Sequence, residues 1–220
     1  MDLEAGRAYP FLGRGSGPPL IISRAEGCFL FTGDGRRILD AAGGAIVANI
    51  GHGREEVAEV ARRALLEASY VVPPFATESR VKLVSRLRTS WLPAGLSRIM
   101  FASGGSEAVD LALRIARQHF VSRGEATRWK VIGRELSYHG TTLATLAVGG
   151  HEKRRAGFEP LLIPHPKAPA CYPLRCTWCR DRGQCTLACA DALEEIIARE
   201  GAPTIAAVIA EPVVGSTAGA

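Results

Sequence analysis

The segment at residues 98–117, RIMFASGGSEAVDLALRIAR, constrains the fold of this 220-residue chain more than any other. Its apolar start predicts a short strand, and its later apolar residues, at helical spacing, predict a helix over 106–121. The adjacent glycines Gly104 and Gly105 predict a tight turn between them. Such a unit points unpaired backbone N–H groups and the positive end of the helix dipole at one place. That place favours a phosphate, to which Ser106 can add a hydroxyl, whereas a tight turn without a ligand is the alternative.

Beyond residue 98, short apolar runs alternate with helical patterns. The runs that predict buried parallel strands are 99–102, 130–133, 161–164 and 205–210. A second helix is predicted at 190–200, and the alternation as a whole predicts an α/β doubly wound sheet. Ligands of such sheets bind beyond the carboxyl ends of the strands. Residues 103–106, Tyr138 and Glu211 each follow a predicted strand, so they should converge at one edge.

The residues before this region have a different pattern. Short strands are predicted at 20–23, 28–31 and 37–40. The last two form a hairpin through the turn residues Asp34 and Gly35. Apolar stripes at helical spacing predict helices at 54–69 and 78–91.

Length, composition and charge narrow the classes of function. A chain that is 47% hydrophobic can bury a substantial core, and no apolar run approaches the roughly 20 residues of a membrane span. The amino terminus, MDLEAGRAYPFLGRG, lacks the basic-then-apolar order of a secretory signal, so we expect a cytoplasmic protein with no membrane partner. The net charge of +5 is scattered, and the densest basic run, 151–155, is interpreted as a solvated helix end or loop. We therefore expect no nucleic-acid partner.

Five short motifs follow one another along the chain: DGRRILD at 34–40, GHG at 51–53, SGGSEA at 103–108, YHG at 138–140 and EPVVG at 211–215. In their residues and their order, they resemble the motifs of the class III aminotransferases, which are pyridoxal-phosphate enzymes of fold type I. The second motif departs slightly, because Arg54 and Glu55 stand where the family often has a proline. The resemblance implies that 1–53 is an amino-terminal segment with a hairpin. It also implies that 54–220 is the first part of the cofactor-binding large domain, with a mainly parallel sheet.

The resemblance assigns roles around pyridoxal 5′-phosphate. Gly105 and Ser106 would hold the phosphate, and Gly104 would permit the turn. Tyr138 would stack beneath the ring, because aromatic rings stack offset on one another. An ordinary half-buried tyrosine is the alternative for Tyr138. Gly140 would keep the backbone close to the cofactor.

The resemblance also places His139 and Glu211 beside the cofactor. A histidine there can serve in acid–base chemistry, but we interpret His139 as a packing and hydrogen-bonding residue, because a lysine moves the proton in this family. Glu211 ends a predicted buried strand, where its charge needs a partner. The resemblance implies that Glu211 supports the hydrogen-bond network on the ring side. An ion pair with a structural arginine is the alternative.

The resemblance further implies that the chain is an amino-terminal fragment. Class III aminotransferases are roughly twice as long, and their pyridine-nitrogen aspartate and Schiff-base lysine would follow Ala220. The four lysines present match no catalytic position, so we expect no catalytic residue in the fragment and no activity from it alone. The complete enzyme is expected to be a homodimer. It would move an amino group between an amine or amino acid, with omega-amino donors preferred, and a 2-oxo acid, while a racemase or aminomutase of the same fold remains open.

Five of the six cysteines lie in a cysteine-rich loop at 171–189, namely Cys171, Cys176, Cys179, Cys185 and Cys189. The C-x2-C pair within it is typical of zinc and iron–sulfur ligands, and a cytoplasmic protein keeps such thiols reduced. A non-catalytic metal-binding module is therefore an alternative function. We favour no metal, because Cys189 lies in the first turn of a predicted helix, where a small thiol packs well. A Rossmann dehydrogenase is disfavoured, since the turn at 103–106 is not G-x-G-x-x-G.

Overall fold

A computed structural model describes residues 20–172, 176, 178–179 and 184–215. The chain divides into two compact units, Met1–Ser97 and Arg98–Ala220. The domain boundary expected after residue 53 stays a prediction. None of the helices in the described part combines the length and the apolar character that a membrane span requires.

The first unit contains three strands and three helices among its described residues. They are β1 (Ile22–Glu26), β2 (Phe29–Thr32), β3 (Arg37–Leu39), α1 (Gly43–Ile46), α2 (Glu55–Ala68) and α3 (Glu78–Ser90). The strands form an antiparallel sheet in the order β1-β2-β3. The three predicted strands and two predicted helices are thus confirmed, with ends that differ by three residues at most. The short α1 was not predicted, and its two central residues have left-handed backbone angles.

The GHG motif at 51–53 fastens the loop before α2 to the hairpin. Gly27 and His52 exchange backbone hydrogen bonds of 3.0 and 2.8 Å. His52 Nε2 lies 2.9 Å from Asp40 Oδ2, and this hydrogen bond is the main cause of the lowered pKa of Asp40. Gly51 has a φ of +82°, and a Cβ there would lie 3.1 Å from the Gly27 carbonyl oxygen. A glycine at this position therefore permits both the turn and the close approach.

The second unit has a small parallel sheet with helices around it. Its elements are α4 (Gly105–Ser122), β4 (Lys130–Arg134), α5 (Leu143–Val148), α6 (Glu152–Arg155), a 3₁₀ turn (Glu159–Leu161), β5 (Lys167–Ala168), α7 (Ala188–Glu200), a 3₁₀ turn (Ala202–Thr204) and β6 (Ile205–Val208). The strand order is β5-β4-β6, and both pairings are parallel. The α/β prediction is confirmed, as are α4, β4, α7 and β6. The basic run at 151–155 contributes the exposed helix α6.

Two predicted strands are wrong. Residues 99–102 have no regular structure, and Met100 and Phe101 are 65% and 50% exposed. No strand of the described residues pairs with this run, so its apolar composition alone does not make it a strand. The run at 161–164 begins on the last residue of a 3₁₀ turn, and the strand that pairs with β4 in this part of the chain is the two-residue β5 instead. Pro164 and Pro166 lie before β5 and have no N–H to donate to a neighbouring strand.

The core of the second unit lies between the sheet and α7. Its buried cluster comprises Ile132, Ala168, Ile196 and Ile205, with Leu193 and Ile197 packed against it. Ile132 at the centre of the sheet is fully buried. Ala192 and Ile196 lie four positions apart and therefore share one face of α7, on which both are buried. This packing joins all three parallel strands to α7.

Two glycines let α5 lie directly against the end of β4. A Cβ on Gly133 would lie 2.0 Å from the Val148 carbonyl oxygen, and one on Gly150 would lie 2.1 Å from the Arg134 carbonyl oxygen. Both distances are far below any real Cβ contact, so only glycine permits this approach. Leu136 N also donates to Gly150 O at 3.2 Å. The chain after β4 is consequently held against the end of α5.

Two cations bind the carbonyl groups at the carboxyl end of α5. Arg155 Nη1 donates to Leu146 O at 2.8 Å and to Gly149 O at 3.1 Å. Lys167 Nζ donates to Ala147 O at 2.8 Å. Positive charge is favourable at this end of a helix, where the last carbonyl groups lack N–H partners. Burial, and then Arg155, nevertheless lowers the pKa of Lys167 to about 8.

His165 lies beside these cations as a neutral ring. Its Nδ1 accepts a hydrogen bond from Val131 N at 3.2 Å. Burial lowers the pKa of His165 to about 4, and the nearby Lys167 and Arg155 lower it further in the same direction. Protonation would convert the accepting nitrogen into a donor and bring a third positive charge to the end of α5.

We expect Gly133→Ala to destabilise the second unit, because the added Cβ would collide with the Val148 carbonyl group. The free energy of unfolding should fall by about 3 kcal/mol, the upper end for overpacking. Denaturant unfolding of the protein expressed from its complete reading frame measures this. Gly33→Ala is the matched control, because a Cβ there meets nothing within 4 Å. Equal losses in the two variants would contradict the close approach.

Stability should fall as pH falls from 6.5 to 4, because of His165. The unfolded histidine binds a proton near pH 6.5, whereas the folded one does so only near pH 4. Between these values the unfolded state binds more protons, so acid favours unfolding. In His165→Asn this contribution is lost, and the free energy of unfolding should depend less steeply on pH in this window. Identical pH slopes for the original protein and the variant would contradict the burial of a neutral His165.

Candidate functional site

Three segments of the second unit meet near the carboxyl ends of its strands. They are the start of α4, the chain that follows β4, and Glu211 after β6. The contacts that join them are Thr141 to Ser106 and Tyr138 to Glu211. We call these segments together the candidate site. The structure thus brings together the groups that were predicted to converge.

The start of α4 presents backbone donors. Gly104 is the extended residue before the helix, and as a glycine it has no side chain that could accept a hydrogen bond from the first turn. Ala108 N donates to Gly104 O at 3.0 Å, so the preceding N–H groups of the first turn have no intrahelical acceptor. A Cβ at Gly104 or Gly105 would meet nothing within 4 Å. The two glycines therefore have no side chain and no neighbouring group where a Cβ would lie.

Ser106 is anchored by the chain after β4. Its Oγ accepts a hydrogen bond from Thr141 N at 3.0 Å, which leaves the hydroxyl proton to donate elsewhere. Gly140 lies against it with a φ of +141°, and a Cβ there would lie 2.7 Å from Ser106 Oγ and 2.6 Å from Thr145 Oγ1. Because Gly140 has no Cβ, the chain after β4 can lie close to the start of α4, and this close approach lets Thr141 N orient the Ser106 hydroxyl.

Glu211 is held by two groups from the chain around β4. Its Oε1 accepts from Tyr138 N at 3.1 Å, and its backbone oxygen accepts from Arg134 Nη2 at 2.6 Å. Its Oε2 lies 3.7 Å from Arg134 Nη2, an ion-pair distance beyond hydrogen-bond range. The ion pair with an arginine, given above as the alternative for Glu211, is therefore present. One carboxylate oxygen still lacks a hydrogen bond.

Unpaired polar atoms concentrate at the candidate site. Within the described part of the chain, three buried side-chain atoms lack a hydrogen-bond partner: Asp110 Oδ1, His139 Nε2 and Glu211 Oε2. Two of the three, His139 Nε2 and Glu211 Oε2, belong to the candidate site. Burying a polar atom without a partner costs free energy, so these two atoms mark a place where a further polar group would bind favourably.

His139 is neutral in this environment. Burial is the main cause that lowers its pKa, the charge of Arg134 lowers it further, and the charge of Glu211 opposes both. A neutral imidazole has one N–H donor and one accepting nitrogen. His139 was predicted to pack and to form hydrogen bonds, but the described residues supply no partner for its Nε2.

The ring of Tyr138 carries a cation on one face. The Arg154 guanidinium carbon lies 4.7 Å from the ring centroid, within the range of a cation–π interaction. Tyr138 is half-buried. With Arg154 in place, a planar ligand that stacks on Tyr138 has only the opposite face available.

Four residues that hold the predicted ones in place were not predicted from the sequence, namely Arg134, Thr141, Thr145 and Arg154. Arg134 and Thr141 are close in sequence to predicted positions, so proximity to the YHG motif was an available signal. Arg154 belonged to the basic run interpreted as solvated, and nothing local indicates its contact with Tyr138.

The metal-binding alternative concerns a loop that the structure describes only in part. Parts of the cysteine-rich loop, at 173–175, 177 and 180–183, lie outside the described residues. In the part that is described, no group of three or more His, Cys, Asp or Glu side chains lies where it could hold a metal ion. Cys176 and Cys179 are buried, whereas Cys171 and Cys185 are exposed.

The curated relatives of this chain include several aminotransferases. The chain is 37% identical over 201 residues to an omega-aminotransferase of Caulobacter vibrioides, covering 90% of this chain and 46% of the relative. It is 33% identical over 196 residues to a hypotaurine/taurine–pyruvate aminotransferase of Paracoccus denitrificans, covering 89% of this chain and 42% of the relative. The chain thus spans less than half the length of these relatives.

Solved structures give the same result for the fold. An (S)-enantioselective omega-transaminase from Thermomicrobium roseum matches with a TM-score of 0.87 and 31% identity, over 98% of this chain and 49% of that one. A PLP-bound amine transaminase from an uncultivated Pseudomonas species matches with a TM-score of 0.85 and 34% identity, over 94% and 48%. The class III aminotransferase family model matches residues 11–220. This chain therefore belongs to the class III aminotransferases.

Proposed function

We propose that this chain forms the phosphate- and ring-contacting part of a pyridoxal 5′-phosphate site in an aminotransferase. The enzyme moves an amino group between an amine or amino acid, with omega-amino donors preferred, and a 2-oxo acid. The observation that carries the proposal is the convergence of the first turn of α4, Ser106 and Glu211 through the loop at 138–141. The name of the Caulobacter relative supports the donor class. By the family resemblance, we also propose that the complete protein is a homodimer.

The phosphate of the cofactor fits the start of α4. The absence of side chains at Gly104 and Gly105, the unpaired N–H groups and the helix dipole all favour an anion there. The Ser106 hydroxyl, oriented by Thr141 N, donates to a phosphate oxygen. Hydrogen bonds to a charged acceptor of this kind are stronger than neutral ones.

The ring of the cofactor fits the neighbouring groups. Tyr138 offers one ring face for stacking, and its backbone N–H holds the Glu211 carboxylate in place. The second Glu211 oxygen and His139 Nε2 lack partners, so they are suited to the polar substituents of a bound ring. Pyridoxal phosphate, when bound, supplies an aldehyde that takes up the amino group and a ring that withdraws electrons. This chain's residues bind and orient it.

An amino-transfer assay on the protein expressed from its complete reading frame tests the proposed function. With cofactor bound and pyruvate as acceptor, an omega-amino acid should yield alanine faster than an alpha-amino acid donor does. Bound cofactor without any amino transfer would contradict the activity. Equal rates with both donors would contradict the omega-amino preference alone.

Ser106→Ala should weaken binding of pyridoxal 5′-phosphate by about tenfold, because one hydrogen bond to a charged oxygen is lost. Titration followed by absorbance or fluorescence measures the dissociation constant. Pyridoxal, which lacks the phosphate, should bind the variant and the original protein equally well. Ser122→Ala is the control variant, because that serine bonds a backbone carbonyl at the far end of α4. Equal weakening for both ligands would contradict the phosphate role.

Glu211→Gln should lower turnover by about tenfold, the effect of losing one hydrogen bond to a charged group. The amide still accepts from Tyr138 N but removes the negative charge beside Arg134 and His139. Affinity for the phosphate should be retained. Glu135→Gln, at an exposed position of the same loop, is the matched control for both measurements. Unchanged turnover in Glu211→Gln would contradict the ring-side role.

A further inference from the structure

The described cysteines before α7 include a buried pair. Cys176 and Cys179 are 8% and 7% exposed, and they pack with Ala188, the first residue of α7, while Cys189 lies against this cluster. All of these cysteines are free thiols. The two buried thiols belong to one C-x2-C pair at the amino end of a thirteen-residue helix.

Hydrogen-bond donors surround the sulfur of Cys179. It lies 3.5 Å from the Thr186 hydroxyl. The backbone N–H groups of Thr186 and Ala188 and the thiol of Cys176 also donate to it. These groups stabilise a negative sulfur more than a neutral one, and they lower the pKa of Cys179 to about 7, with the Thr186 hydroxyl as the largest cause.

The third thiol of the cluster has the opposite character. Burial is the main cause that raises the pKa of Cys189, and the electrostatic influence of the neighbouring Cys176, Cys171 and Cys185 side chains raises it further. Cys189 therefore stays protonated near neutral pH. Since no three donors within the described residues are placed to hold a metal ion, chemistry between two thiols is favoured over metal binding.

We propose that Cys176 and Cys179 form a redox-active dithiol that reduces a hydroperoxide. The Cys179 thiolate attacks the peroxide, the O–O bond breaks, an S–O bond forms, and the remaining oxygen leaves with a proton. Cys176 then attacks the sulfenic sulfur, an S–S bond forms, and the sulfenic oxygen leaves as water together with the proton of Cys176. Two thiols and hydrogen peroxide thus become one disulfide and two water molecules.

The dithiol lies beside the candidate site, and neither cysteine is a residue to which the proposed function gives a role. Cys176 lines a surface cavity together with Glu135 and Leu136, which follow Arg134 directly. Cys171 lines a smaller cavity with Arg134 and Glu211. The proposal is therefore independent of the proposed function.

Peptide mapping of the peroxide-treated protein tests the proposal. The reduced protein, expressed from its complete reading frame, is treated with hydrogen peroxide, alkylated and digested with trypsin, which releases CTWCR at 176–180. The disulfide form of the peptide should carry no alkyl group and be about 2 Da lighter than the unalkylated dithiol peptide, to which reduction converts it. The rate of disulfide formation should be half-maximal near pH 7, where the Cys179 thiolate forms.

Two variants and a control separate the two roles. Cys176→Ser should stop at a sulfenic acid on Cys179, which dimedone traps, and Cys179→Ser should give neither a dimedone adduct nor a disulfide at Cys176. Cys28→Ser is the control, because this exposed cysteine lies in the first unit, and its loss should leave the reaction unchanged. Absence of the internal disulfide in the original protein would overturn the proposal. Zinc retained stoichiometrically by the purified protein through these thiols would overturn it as well.

Discussion

The contact between Gly133 of β4 and the Val148 carbonyl group of α5 is the constraint on which the candidate site depends. Side chains at this point would push α5 away from the sheet, and Gly150 repeats the same requirement against Arg134. Because the end of α5 lies directly on the strand, the intervening residues form a short, tightly held loop. That loop carries Tyr138, His139 and the backbone groups that reach α4 and β6.

Charge is distributed unevenly around this contact. On one side Arg155 and Lys167 occupy the carboxyl end of α5, where burial keeps His165 neutral. On the other side Arg134 holds Glu211 at the edge of the sheet. The cations on the first side have backbone carbonyl groups as partners, whereas Glu211 retains an oxygen without a hydrogen bond. Arg155 and Lys167 therefore have their hydrogen-bond partners within the fold, whereas Glu211 remains available to a ligand.

All the predicted helices, which have strong periodicity, were found, whereas the predictions from short apolar runs were only partly right. The helices α2, α3, α4 and α7 each carry an apolar stripe and were found at the predicted places. The six-residue α5 has too few turns for a stripe to be distinctive. The run at 99–102 was apolar enough to resemble a strand, but a strand also needs a partner, and the described residues offer none. The short β5 owes its position to pairing with β4 rather than to its own residues.

By itself, the sequence determined the family, the α/β alternation and the identity of the groups that converge, because each follows from patterns within a few consecutive residues. Only the tertiary structure decided how those groups are held. Thr141 meets Ser106 across 35 positions, and Arg134 meets Glu211 across 77. Local spacing carries no information about such pairs, since packing of α5 and the strands selects them. For the same reason only the tertiary structure shows that Glu211 forms an ion pair with Arg134 and that the C-x2-C motif is a buried pair of thiols.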